Sequence, residues 1–298
     1  MNKLWKWIGI CAGAGVVLMI VGVLLGANLR GISFEGGRFR MASGDAETIA
    51  AYTNTEAITE LNIRTASLRV DVVVGESYGF EIKYGGRSRN ISYELSNGVL
   101  TIRQRSRFSF NFGVGWTGNR GESVTVFIPA GVELDSATIR VSSGNIRIEG
   151  LEANNMSLRT SSGRINADAI TADNLDVRAS SGSVTLQGIE ARNIEVNISS
   201  GSLTVSDAVY NEFRARTNSG SVRMDGVFLG YTNVRVDSGS ITLNVDGAER
   251  DFNYTTRASS GTVRVNDNRV GTITMDRGAD NSITVRSSSG NIRLNFEG

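Results

Sequence analysis

The chain contains no histidine and a single cysteine, Cys11, among its 298 residues. The commonest general base, the commonest metal ligand and any Ser–His or Cys–His nucleophile pair are therefore missing, and no internal disulfide can form. Three sets of residues remain that could do chemistry. The first is Ser143, Ser162, Ser181, Ser200, Ser219, Ser238, Ser260 and Ser289, each directly before a glycine. A catalytic serine needs a base and occurs once. Eight in register read as a hydroxyl ladder satisfying backbone groups at a corner. The second set is Arg140, Arg159, Arg178, Arg216, Arg235, Arg257 and Arg286, each four residues before one of the same glycines, with Asn197 at the eighth place. Guanidiniums one strand apart repel unless an anion lies near. Either carboxylates such as Asp176 and Glu195 compensate them, or they form a stripe of bidentate donors for a polymeric phosphate or carboxylate. The third set is Arg105, Arg107, Phe108, Phe110, Phe112, Trp116 and Arg120, within the segment Gln104 to Glu122. Aromatic and arginine side chains so interleaved can stack on sugar rings or bases or dip into a membrane surface. They can equally form a flap over the apolar interior.

The acids Glu149, Asp168 and Asp225 stand five residues after a glycine. As repeat positions they read as surface ladder. A polysaccharide-active enzyme would need a pair of carboxylates or a metal cluster at one place. There is no phosphate loop or nucleotide fingerprint, so no catalytic residue, cofactor or metal is expected. The formal net charge of +1 gives no basic excess for nucleic acid.

These residues must be positioned by a repeat. The glycines are Gly144, Gly163, Gly182, Gly201, Gly220, Gly239, Gly261 and Gly290, at intervals of 19 residues five times, then 22 and 29. A fixed period of this kind marks a stacked architecture. Around Gly182, Leu175, Val177 and Ala179 alternate with polar residues, and Val184 and Leu186 do so on the far side. Period-two alternation means short half-buried strands, with glycine at a corner that needs positive φ or has no room for a Cβ. Apolar residues fall at +2, +4, +7, +12 and +14 from the glycine, as in Leu203, Val205, Ala208, Phe213 and Ala215 after Gly201, or Val222, Met224 and Val227 after Gly220. One repeat cannot enclose a core, but copies stacked about 4.8 Å apart bury a continuous one. The expected fold is all-β, a parallel β-solenoid with one turn per 19 residues.

Four segments are expected. Residues 1–30 form a cytoplasmic stub and a membrane anchor: Lys3 and Lys6 precede an uncharged run from Ile8 to Leu29, long enough to span a bilayer. The basic flank keeps the N-terminus inside and the rest extracytoplasmic. A cleaved signal peptide is the rival reading. Gly9/Gly13 and Gly22/Gly26 have a spacing that lets two transmembrane helices approach. Residues 31–60 read as a juxtamembrane linker with a short helix over Asp45 to Tyr52. Residues 61–134 read as a strand-rich N-terminal cap: Asn97-Gly98 marks a hairpin, Thr65-Ala66-Ser67 looks like a degenerate corner, and Val124, Val126 and Ile128 form a strand ended by Pro129-Ala130-Gly131. Residues 135–298 are the Ser-Ser-Gly solenoid. The added residues from Gly247 to Asp251 and Asn266 to Asn281 are expected to be loops, and no separate C-terminal cap is evident.

Over about residues 58–298 the chain resembles the bacterial candidate-adhesin family of β-strand-repeat proteins, a domain group of unknown function. The residues that carry the likeness are Thr65-Ala66-Ser67, Asn97-Gly98, Ile128-Pro129-Ala130-Gly131-Val132 and the eight corners. The resemblance implies a right-handed solenoid, membrane anchoring, relatives linked to cell-envelope stress, and no catalytic residues. The expected function is non-catalytic envelope binding or scaffolding, with an anionic cell-wall polymer or an envelope protein as partner. The alternatives are a polysaccharide-active β-helix enzyme and a solenoid that self-assembles through uncapped ends.

Overall fold

The computed structural model describes residues 32–35, 38–41, 46–85, 90–105, 110–112 and 121–298. The expected membrane anchor, residues 1–30, lies outside them. Among the described residues no helix is long and apolar enough to cross a membrane. The chain divides into two units. In the smaller, β1 (Ile32–Glu35) pairs antiparallel with β2 (Arg38–Met41) on one side and with β9 (Phe110–Phe112) on the other. The segment expected as a linker thus carries strands. The short helix expected over Asp45 to Tyr52 is instead strand β3 (Glu47–Thr53), because residues 47–53 gain a sheet edge to pair with, which outweighs local helix propensity.

The larger unit is all-β, with its strands joined in one extended sheet. Its regular part repeats at the period read from the glycines. Strand β11 (Glu133–Val141) pairs parallel with β13 (Glu152–Ser162), placing Ile139 beside Leu158 and Arg140 beside Arg159. Strand β12 (Ile146–Glu149) pairs with the start of β14 (Ile165–Gly226), an extended stretch of 62 residues that takes in the corners at Gly182, Gly201 and Gly220. Strands β15 (Tyr231–Ser238) and β16 (Ile241–Asp246) continue both ladders, with Val234 beside Ala215 and Ile241 beside Val222. Every one of these pairings joins residues 19 apart. The alternation predicts the interior: Ile146, Ile148, Leu151, Met156 and Leu158 after Gly144 are all buried, as are Leu203, Val205, Ala208, Phe213 and Ala215 after Gly201. Val227 does not follow. It is 47% exposed, and Phe228 is buried in its place with its ring edge-on to Tyr210 at 6.4 Å. Gly226 just before it takes a φ of 130°, where the equivalent Gly150, Ala169, Gly188 and Asp207 take 69°, 52°, 58° and 53°.

Neither end of the stack follows chain order. Strand β21 (Asn281–Ser289) pairs with both β15 and β17 (Phe252–Ser260), so the last turn of the chain lies between two earlier ones. Strand β22 (Ile292–Glu297) sits likewise between β16 and β18 (Val263–Val265). The residues expected as a loop from 266 to 281 contain β19 (Asn268–Val270) and β20 (Ile273–Met275), which lie antiparallel on β18 and β17. Phe296 packs on Phe252 and Tyr254, 5.4 and 5.5 Å between ring centres. The opposite end is interlaced in the same way. Strand β4 (Glu60–Thr65) lies between β8 (Val99–Gln104) and β11, and β5 (Arg69–Gly75) between β10 (Ser123–Pro129) and β12. Antiparallel strands β7 (Ile91–Ser96) and β6 (Gly79–Tyr84) cover that end, with β3 outside β6. The Asn97-Gly98 hairpin joins β7 to β8 as predicted, with φ of 51° and 79°. Short antiparallel strands, and the bulge in β3 at Thr48/Ala50, blunt edges that would otherwise template further pairing.

Candidate functional site

The corners set the geometry of the surface. From Gly163 onward, a Cβ on each corner glycine would overlap the carbonyl oxygen of the corner glycine on the adjacent turn. Backbones stack there without room for a side chain. At Gly144 the neighbour is the Leu68 carbonyl, so the first corner is Ala66-Ser67-Leu68, one residue on from the tripeptide that the sequence pattern suggests. The Gln104 side chain closes this corner, its Oε1 accepting from the Ala66 and Ser67 N–H groups at 2.8 and 3.1 Å. The serines before the glycines are exposed, and no hydrogen bond from their hydroxyls to the corner backbone is found among the described residues. The backbone does the work instead: Gly163, Gly239 and Gly290 N–H groups donate to the carbonyls of Ser181, Ser289 and Ser260. Threonines inside the corner assist, Thr65 Oγ1 donating to Leu68 O at 3.3 Å and Thr160 Oγ1 to Gly144 O at 3.5 Å.

Four residues upstream the arginines form one column. Arg140 stands beside Arg159, Arg159 beside Arg178, Arg216 beside Arg235, Arg235 beside Arg286, and Arg286 beside Arg257. Asn197 takes the place between Arg178 and Arg216 along the same groove. The column also runs on where sequence reasoning stopped, because Arg140 pairs with Arg64 and Arg64 with Arg103. These two were missed because no glycine follows them; the Thr65-Ala66-Ser67 corner was the available signal for Arg64. Ten positions about 4.8 Å apart cover roughly 43 Å. An open groove of about 790 Å3 runs beside much of the column, lined by its side chains from Arg64 to Arg216 and by Ser142, Ser161, Ser180 and Ser199.

The column is compensated unevenly. Asp176 pairs with Arg159 at 2.8 Å and Arg178 at 3.1 Å. Asp237 pairs with Arg235 at 3.1 Å and Arg216 at 3.5 Å. Glu195 accepts from Asn197 at 2.8 Å. The carboxylate compensation expected for the arginines therefore covers only part of the column. The four central ones are matched by carboxylates, whereas Arg64, Arg103, Arg140, Arg257 and Arg286 have no carboxylate partner among the described residues. Arg140 is half-buried, and its Nε is shielded from solvent without a hydrogen-bond partner. Its pKa lies below the usual arginine value, through desolvation first and then the like charges of Arg64 and Arg159, with Asp176 acting the other way.

Other polar ladders run beside the column. Of the acids five residues after the glycines, Glu149 pairs with Arg147 at 3.0 Å and Asp225 with Arg223 at 2.8 Å, while Asp168 stands beside Glu149 in the strand register. Asn155, Asn174 and Asn193 chain side-chain amides at 3.0 and 2.9 Å. Of the aromatic and arginine segment, Arg105 is exposed, and Phe110 and Phe112 belong to β9. Arg107, Phe108, Trp116 and Arg120 lie outside the described residues. A separate aromatic cluster, Tyr52, Phe80 and Tyr93, joins the covering strands with ring centres 4.9 to 5.7 Å apart.

The class of protein so defined is an all-β repeat that presents a cationic groove across stacked strands. The chain belongs to the Toastrack DUF4097 family, whose model matches residues 58–295. Among solved structures it is similar to a candidate adhesin from Bacteroides fragilis, with 12% identity, 85% of this chain and 98% of that one covered, and a TM-score of 0.49. It is also similar to a candidate cell adhesion protein from Clostridium sporogenes, with 15% identity, 85% and 100% covered and a TM-score of 0.31. A third is a candidate adhesin from Parabacteroides distasonis, with 12% identity, 84% and 98% covered and a TM-score of 0.44. No curated protein matches the chain.

Proposed function

We propose that this is a non-catalytic, membrane-anchored protein. Its extracytoplasmic part is a right-handed β-solenoid that binds an anionic polymer of the cell envelope along the arginine groove, an adhesin-like role. The observation that carries the reading is the column of nine arginines in register, five of them without a carboxylate partner among the described residues. Like charges this close raise the free energy of the unliganded state, and a chain of phosphates or carboxylates laid along the column relieves it. The serines recur identically at every corner, which singles none out as a nucleophile. The basic flank at Lys3 and Lys6 before the apolar run supports the anchor and the outward orientation of the solenoid.

The test is cosedimentation of the full-length protein, in detergent micelles, with purified cell wall before and after removal of its anionic polymers. Binding should require the polymer and weaken steeply between low and physiological salt. Equal binding to stripped wall, or none at low salt, would transfer the role to an envelope protein partner. Protease accessibility on intact cells checks the orientation: residues after the anchor should be cleaved from outside.

A further inference from the structure

The arginine column is not uniformly paired along its length. The uncompensated arginines fall in two groups, Arg103, Arg64 and Arg140 at one end and Arg286 and Arg257 at the other. Between them Asp176 and Asp237 each clamp two arginines, and Asn197 interrupts the column. Asp176 lies on the same strand two residues before Arg178, and Asp237 two residues after Arg235. The clamps thus come from opposite sides of the column. From Arg140 to Arg286 there are six strand spacings of about 4.8 Å, roughly 29 Å.

We infer that the arginine column is a two-ended site for a linear polyanion, which it holds by both cationic ends at once while the clamped centre only guides it. This rests on the polymer-binding reading above and adds a length requirement to it. A ligand shorter than the gap engages one end. One that spans it gains the second end as an intramolecular event, so its affinity rises far more than its charge. The shared chemistry is a flexible chain of oxyanions, either carboxylates or phosphates.

Oligo-L-glutamate supplies the carboxylate arm of the test. A chain of five residues reaches at most about 18 Å and one of twenty about 70 Å. Inorganic polyphosphate in a short and a long fraction supplies the phosphate arm. Binding to the full-length protein in micelles is measured by titration calorimetry at low salt. The long chain should bind at least tenfold tighter per charge than the short one in one or both arms, and the arm that does so names the oxyanion. Arg64→Gln with Arg140→Gln, and separately Arg257→Gln with Arg286→Gln, should each reduce the long chain to the affinity of the short one. Asp176→Asn with Asp237→Asn should instead raise affinity for the short chain and narrow the length difference. That gain of binding cannot come from misfolding. Binding that is equal per charge at both lengths, or a long chain indifferent to loss of one end, would overturn the two-ended site and leave anion binding intact. No binding of any chain would overturn the polymer reading itself.

Discussion

Replacing Gly182 by alanine tests the stacking at its tightest point. Gly182 has a φ of 150°, and an added Cβ would overlap the Gly163 carbonyl oxygen. Two costs follow. A non-glycine residue in that sparsely populated backbone region costs about 1–3 kcal/mol, and forcing one carbon into a packed site costs about 1–3 kcal/mol more. The neighbour that must give way is backbone shared by two turns, so little of this relaxes. The sum is about 2–6 kcal/mol. With a urea slope near 3 kcal/mol per molar for a chain of this size, the midpoint should fall by about 0.7–2 M. Gly271→Ala is the control, since nothing lies within 4 Å of a Cβ there and its φ is not positive. Far-UV circular dichroism of both variants against wild type reads the outcome. A Gly182→Ala midpoint no lower than that of Gly271→Ala would refute the account of the corner, and with it the reason for the repeat of glycines.

Further predictions concern the interior and the covering strands. The Tyr210 and Thr232 hydroxyls are buried and 2.7 Å apart, so Tyr210→Phe alone should cost about 1–3 kcal/mol by orphaning Thr232, whereas Tyr210→Phe with Thr232→Val should recover most of it; urea midpoints of the cycle decide. Glu249 is held below the usual carboxylate range by the Tyr254 hydroxyl first and Arg277 after, with burial opposing. Its contribution is therefore full above about pH 4.3 and lost as pH falls through its lower folded value, and Glu249→Gln should flatten the acid limb of a thermal-stability profile. Tyr254 is pushed up to about 12, by burial first and then by its bond to Glu249. Stability linked to it is full below about pH 10 and lost as pH rises through about 12, and Tyr254→Phe should delete that step from a tyrosinate absorbance titration.

The periodic part of the molecule was legible from the sequence because each turn meets a copy of itself. When residues 19 apart stack, an apolar residue lies on an apolar one and an arginine on an arginine, so offsets from Gly144 or Gly201 name the core without coordinates. The arginine column was legible for the same reason, and so was the Asn97-Gly98 turn, whose two positive φ values need only local chemistry. The slip that buries Phe228 in place of Val227 was not, since it depends on the Tyr210 ring on the turn below.

Where the interval departs from 19, spacing no longer says which turn is the neighbour. The sequence by itself determined the period, the corner glycines and the column of arginines. Only the tertiary structure decided that β21 and β22 enter between earlier strands, that Arg64 and Arg103 extend the column, and that Asp237 crosses to Arg216 from the adjacent strand. The physical reason is that repetition specifies equivalence between positions along the chain. Adjacency at an end is chosen by whichever strand can satisfy an open edge, and charge balance by which side chains that choice brings within reach.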